Sequence, residues 1–195
     1  KYKVYFDKKI NKFIFTTDNK NYDFDRIIIA TGGLSYPTTG STGDGYSYAR
    51  KFGHKINECT PSLVSIKLTD DWIKSVEGLS LKNVSLSIKI NKKEYSEFGE
   101  MLFTSDGISG PIILTQSANI SGKIQSSDDV TIKLDWKPAL TAQDLNHRFL
   151  KERNESPNQM IKTLLEKMFP KKFVPVFIAH LNIDCDKHLN SMRKS

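Results

Sequence analysis

Residues Arg26–Tyr46 read RIIIATGGLSYPTTGSTGDGY, and they hold five of the eleven glycines, with Gly53 following just beyond. The first half is a β-branched run, Ile27-Ile28-Ile29, that ends in Ala30. A short apolar run closed by glycine predicts a strand buried on both faces, the kind found in parallel sheets. The second half is small, polar and glycine-rich, with one proline, Pro37. Without a Cβ in the way, backbone N–H groups in such a loop approach a ligand closely. In open α/β sheets ligands sit beyond the carboxyl ends of the strands, where this loop would lie.

Outward from this stretch the chain has 195 residues, enough for one large domain or two small ones with a sizeable core. Its 38% apolar and 26% charged fractions are those of an ordinary soluble globular protein. The net charge of +7 is uneven: residues 1–60 and 136–195 are basic, and 61–135 are slightly acidic. No continuous basic stripe results, so charge alone gives little support to nucleic-acid binding. Cys59 and Cys185 stand far apart without metal-ligand spacing, and a reduced, cytoplasmic protein is the simplest reading. The longest apolar runs, such as Phe173–Leu181, are too short to span a bilayer. The opening directly in a strand pattern and the polar tail set the expectation of a piece of a longer protein.

Before the glycine loop, Lys1–Phe6 and Lys12–Thr16 alternate as a β-hairpin, and Tyr22–Phe24 offers a third strand. After it, Gly43–Phe52 predicts a short helix with Tyr46, Ala49 and Phe52 on one face and Gly53 as its stop. The texture changes near residue 60. Leu63–Leu68, Val84–Ile90, Met101–Thr104 and Val130–Trp136 read as strands of an antiparallel sheet or barrel, with a kink or bulge at Gly99. Pro111 suits the first position of a helix of one or two turns. From Lys137 the period is helical. Thr141–Asp144 forms a capping-box start, Ile161, Leu164, Leu165 and Met168 share a core-facing stripe, and Phe173–Leu181 is a further helix. The chain therefore divides into 1–58, 59–136 and 137–195, a mixed α/β and α+β organisation.

For chemistry, the glycine loop lacks both the P-loop G-x-x-x-x-G-K-[ST] and a G-x-G-x-x-G directly after the strand. A phosphate-holding loop and a tight structural loop are evenly balanced on spacing alone. His54, His147, His180 and His188 are scattered and read as surface or core residues. Asp44 and Asp106 sit in glycine-flanked turns, where capping outweighs ligand contact. Tyr36 before Pro37 is equally suited to stacking on a ring and to loop packing. Ser35, Ser41 and Ser109 form no G-x-S-x-G elbow. Trp72 and Trp136 read as core or domain-boundary residues. No metal site and no catalytic side chain is assigned.

The string I-I-I-A-T-G-G-x-S-Y-P-x-T-G-S-T-G-D-G-Y closely resembles the HI0933-like (BaiN/YhiN-type) NAD(P)/FAD-dependent oxidoreductases. The resemblance continues at Thr60–Val64, Gly78–Val84, Gly99–Thr104 and Gly107–Pro111, in the family's order, over about residues 22–118. It implies a glutathione-reductase-type FAD domain interrupted by a β-rich, barrel-like domain and a small helical domain. It places Ala30, Thr31, Gly32 and Gly33 against FAD, with Ser35, Tyr36, Pro37, Thr42, Gly43 and Asp44 toward the flavin. The family's amino-terminal strand–G-x-G-x-x-G–helix and its carboxy-terminal glycine-rich segment have no counterpart in this sequence. The expectation is thus a central piece: one edge of the FAD site, at residues 1–58, and both insertions. FAD would be the cofactor and NAD(P)H an electron source. The partner would be a small-molecule substrate, with no nucleic acid and no membrane. A non-catalytic module for substrate binding or oligomer contacts is the competing reading, and a basic nucleotide- or RNA-binding domain a third, lacking the aromatic-plus-basic surface motif.

Overall fold

The computed structural model describes residues 3–124, 128–184 and 187–191, so Lys1, Tyr2 and Cys185 lie outside the described residues. The chain divides into two compact units, Lys1–Cys59 and Thr60–Ser195.

The first unit opens with a meander, β1 (Lys3–Asp7), β2 (Lys12–Thr16) and β3 (Asn21–Phe24), paired antiparallel in that order. Asn11 closes the first turn at φ 55°, a conformation asparagine tolerates. The second turn is tied by Thr17, whose backbone N–H donates to the Lys20 carbonyl at 2.8 Å. Alternation buries only Val4 and Ile14, while Phe6, Phe13 and Phe52 meet edge to face at 5.0 and 5.9 Å. The helix α1 (Asp44–Lys51) follows the glycine loop, one residue inside each end of its predicted span.

The expected buried parallel strand at Arg26–Ala30 does not form. The segment lies outside any strand, and Ile28 is 91% exposed. A β-branched run fits a pleated surface only where neighbouring strands receive it. Among the described residues no segment pairs with it, and every strand pairing observed is antiparallel.

The second unit is built on a five-stranded antiparallel sheet. Its strands are β4 (Ile66–Lys67), β5 (Ser80–Ile90), β6 (Lys93–Phe103), β7 (Gly107–Ser109) and β8 (Val130–Asp135), ordered β4-β7-β6-β5-β8. The clean alternation of Val84, Leu86, Ile88 and Ile90 puts all four in the core at 6% exposure or less. A two-residue turn with Asn91 at φ 53° joins β5 to the equally long, more polar β6. Two residues, Lys82 and Asn83, face one on β6 beside Gly99, so the expected irregularity is a bulge carried by β5.

Pro111 does start a helix, α2 (Pro111–Ile120), whose nearly three turns exceed the one or two expected; it packs on β6 through Ile112 and Ile113. The predicted strand Leu63–Leu68 shrinks to Ile66–Lys67. The Val64 N–H donates to Ser117 Oγ at 2.9 Å, so that donor is held by a side chain of α2 and not by a ladder. Leu63 takes φ 54°, which breaks the extended run.

Helices α3 (Ala142–Glu155), α4 (Ile161–Met168) and α5 (Val174–Leu181) complete the unit. The Thr141 capping box is present: Asp144 N–H donates to Thr141 Oγ1 at 3.2 Å, and Thr141 N–H to Asp144 Oδ2 at 2.9 Å. Ile161, Leu164 and Leu165 are buried with Val174 and Leu189 in a small second core. Trp72, Phe103, Trp136, Phe169, Phe173 and Phe177 form a continuous aromatic stack, with Trp136 and Phe173 at 4.2 Å, joining helices to sheet.

Candidate ligand site at the glycine loop

The loop folds on its own backbone. Pro37–Thr39 makes one 3₁₀ turn, with proline at its first position and Gly40 at φ 100° closing it. The Tyr36 carbonyl accepts from Thr39 N–H at 3.1 Å, Ser41 N–H at 3.3 Å and Thr39 Oγ1 at 2.9 Å. Gly40 N–H donates to Pro37 and Thr42 N–H to Gly40. Gly43 N–H donates to the Gly33 carbonyl at 3.1 Å and closes the neck.

These bonds bear on the two readings of the loop. An anion-binding nest needs successive N–H groups free to point at the ligand. Here the N–H groups of Thr39 to Gly43 are all committed within the loop. The Asp44 carboxylate also occupies the first turn of α1, where it repels an anion. The geometry favours a preformed surface for an uncharged group over a phosphate cradle.

Such a surface lies beside the loop. An open pocket of about 390 Å³ is lined by Ile29, Ala30, Thr31 and Gly32 on one side. Gly45, Tyr46, Ala49 and Phe52 of α1 and its end, with His54, form the other. The two sides meet closely. A Cβ on Gly45 would stand 2.8 Å from Thr31 Oγ1, a contact that turning the hydroxyl relieves, while Gly32 takes φ 72°, where glycine is favoured.

Of the residues singled out in the sequence, Ala30, Thr31 and Gly32 come together at this pocket. Gly33 and Gly43 form the neck behind it. Ser35, Tyr36, Pro37, Thr42 and Asp44 do not line it, and Tyr36 is 71% exposed. Ile29, Gly45, Tyr46, Ala49, Phe52 and His54 were not singled out. The spacing of Tyr46, Ala49 and Phe52 marked a helix face, and that face turns toward the loop and not only toward the meander.

The neighbouring Cys59 side chain, as a hydrogen-bond partner first and electrostatically second, raises the Tyr46 phenol above its ordinary value of 10.0. Cys59 is free and exposed. Among the described residues no group of three or more His, Cys, Asp or Glu stands together to hold a metal ion, and no helix is long and apolar enough to cross a membrane.

Residues 60–195 match the family described as HI0933-like protein barrel and H2TH domain. A ribosomal RNA dihydrouridine synthase of Haemophilus influenzae is 33% identical over 174 residues, covering 88% of this chain and 40% of that protein. That alignment is longer than residues 60–195, so it reaches into the first unit. A 3-dehydro-bile acid delta(4,6)-reductase of Clostridium scindens is 26% identical over 163 residues, covering 84% of this chain and 40% of the relative. A ribosomal RNA dihydrouridine synthase of Escherichia coli is 32% identical over 151 residues, 77% of this chain and 35% of the relative. The chain thus spans about two-fifths of the length of the curated relatives it matches.

Proposed function

This chain belongs to the HI0933-like family, and from that premise we propose that it is part of a cytoplasmic flavin-dependent reductase. In this reading residues 1–58 supply one edge of an FAD site, 59–136 the barrel insertion and 137–195 the helical insertion, the two insertions covering the substrate. The observation that carries it is the pocket where Ala30, Thr31 and Gly32 meet the glycine-opened face of α1. The lining mixes small residues with Tyr46 and Phe52 and carries no lysine or arginine, which suits an edge of the uncharged ring or ribityl chain and not the pyrophosphate.

Thr31 offers a hydroxyl and Ala30 and Gly32 a closely approachable backbone. Tyr36, Ser35, Pro37, Thr42 and Asp44 would reach the cofactor from the loop's outer side. FAD, when bound, supplies acceptance and delivery of a hydride, with NAD(P)H as the electron source. The chain's own residues hold and orient one side of it and keep water from that side. The relatives' names share a chemistry: dihydrouridine and a delta(4,6)-reduced product each arise by adding hydrogen across a carbon–carbon double bond. We assign the same reaction class here.

A small molecule is the first reading of the substrate. An RNA base is the second, favoured by two relatives above 30% identity that are named as ribosomal RNA enzymes, and by the basic charge of residues 136–195. Loss of a dihydrouridine from ribosomal RNA on deletion of the gene, read by mass spectrometry, would select the second; an unchanged RNA selects the first.

The flavin reading is tested in the complete protein that carries this stretch. Purified protein should show flavin absorbance. Thr31→Val should weaken FAD binding roughly five- to tenfold, the loss of one hydrogen bond of about 1 kcal/mol. Tyr36→Ala, at an exposed side chain that holds nothing in the fold, should lower flavin occupancy without changing the melting temperature. A colourless protein whose melting is unaffected by added FAD refutes the reading.

A further inference from the structure

The turn between α3 and α4 is clamped by the segment 187–191. Ile161 N–H donates to the Lys187 carbonyl, Leu189 N–H to that of Gln159 and Asn190 N–H to that of Pro157, each at 3.0 Å. Asn190 Nδ2 donates to Asn158 Oδ1 at 3.2 Å. Beside this turn lies an open polar pocket of about 440 Å³, lined by Arg153, Asn154, Pro157 and Asn190. Arg153 is half-buried there, and among the described residues it has no hydrogen bond or ion pair. The carboxylates next to it in α3 are taken: Glu152 pairs with Lys167 at 2.8 Å and Glu155 with Lys151 at 3.9 Å. No acidic residue lines the pocket, so nothing in the lining neutralises the guanidinium.

We propose that this pocket binds a phosphate group, carried by a nucleotide or by an RNA strand. The proposal rests on the helical segment alone, and on neither the flavin reading nor a choice of substrate. Three separate side chains bring N–H donors to the pocket: the guanidinium fork of Arg153, the amide of Asn154 and the remaining amide hydrogen of Asn190. A phosphate offers three acceptor oxygens in a tetrahedral array, whereas a carboxylate offers two in one plane. Arginine matches the phosphate with paired, charge-assisted hydrogen bonds. The clamp fixes Asn190 before any ligand arrives, which lowers the ordering cost of binding. The rival role for Arg153, in the last turn of α3, is to balance the carbonyl end of that helix. That role would move the stability of the fold and not its affinity for phosphate.

The test titrates inorganic phosphate into the complete protein that carries this stretch and follows the side-chain NMR signals of Arg153, Asn154 and Asn190. All three should shift saturably. Arg153→Gln, read at the two amides, should weaken phosphate about tenfold or more; Arg153→Lys should weaken it less, because the charge stays and the fork is lost. Asn154→Asp, at an exposed side chain with no bond to the fold, puts a negative charge in the pocket and should also weaken binding. Arg148→Gln removes the same charge from α3 outside the pocket and should leave the affinity unchanged. A dinucleoside monophosphate that binds more tightly than adenosine monophosphate assigns the site to an RNA strand, and the reverse order to a free nucleotide; either order upholds the proposal. Unshifted signals, equal binding of acetate, wild-type affinity in both Arg153→Gln and Asn154→Asp, or equal weakening by Arg148→Gln overturns it.

Discussion

Gly107→Ala is the sharpest single perturbation of the barrel. A Cβ at this position in β7 would stand 2.0 Å from the Ile66 carbonyl oxygen and 2.9 Å from Lys67 Cα. Both are backbone atoms of the neighbouring strand, so no side-chain rotation relieves the contact. β4 must recede by at least about 1 Å from a strand spacing of about 4.8 Å, enough to lose its ladder. That removes the pairing of Ile66 with Ile108 and Lys67 with Gly107, and strains the Leu68 N–H bond to the Asp106 carbonyl at 3.0 Å. Backbone hydrogen bonds at about 1 kcal/mol each, plus part of the burial of Ile66, give a loss of about 3 kcal/mol. For a unit of this size the melting temperature should fall by roughly 8–12 °C. Gly78→Ala is the comparison: it has φ 76° but open space around the added Cβ, so only the left-handed backbone cost of about 1 kcal/mol applies. Thermal unfolding of both variants, followed by circular dichroism, decides the matter. If Gly107→Ala is no more destabilising than Gly78→Ala, β4 does not pack against β7 as described.

The cap of α3 should carry a pH signature. Thr141 hydrogen bonds hold the Asp144 carboxyl below its ordinary 3.8, so the folded state favours the ionised form. The resulting stability is present above that value and is lost as pH falls through the lower folded-state value. Asp144→Asn should therefore be less stable than the wild type at neutral pH, with the gap closing in acid on chemical denaturation; a gap independent of pH refutes the assignment. At the loop pocket, Cys59→Ala should lower the ionisation point of Tyr46 toward 10.0, since Cys59 is the main cause of its rise. Ring NMR shifts of Tyr46 through an alkaline titration measure this, and an unchanged midpoint shows that the Cys59 contact is not made.

Where the sequence was readable, local physics and tertiary context agreed. The period-two run Val84–Ile90, the Thr141–Asp144 cap and the Ile161–Met168 stripe each describe an element whose partner lies within the same unit. The strand expected at Arg26–Ala30 shows the opposite case. Its β-branched pattern reports what the segment is suited to, but a strand exists only with a partner, which local pattern does not contain. Leu63–Val64 was misread for a related reason, because Ser117, 53 residues away, takes the donor that a strand would have used. The loop pocket was half legible: the glycines pointed to Ala30–Gly32, whereas Tyr46, Ala49 and Phe52 required knowing which way a helix face turns.

The thin core of the first unit changes what occupancy means there. Val4 and Ile14 are its only buried apolar side chains among the described residues, and Ile28 and Ile29 remain open to water. A unit with so little interior of its own is only marginally stable by itself. Any ligand that binds only the folded unit then adds to its stability, so an affinity measured there already contains part of the unit's folding free energy, and a substitution that merely loosens the meander would register as a weaker ligand.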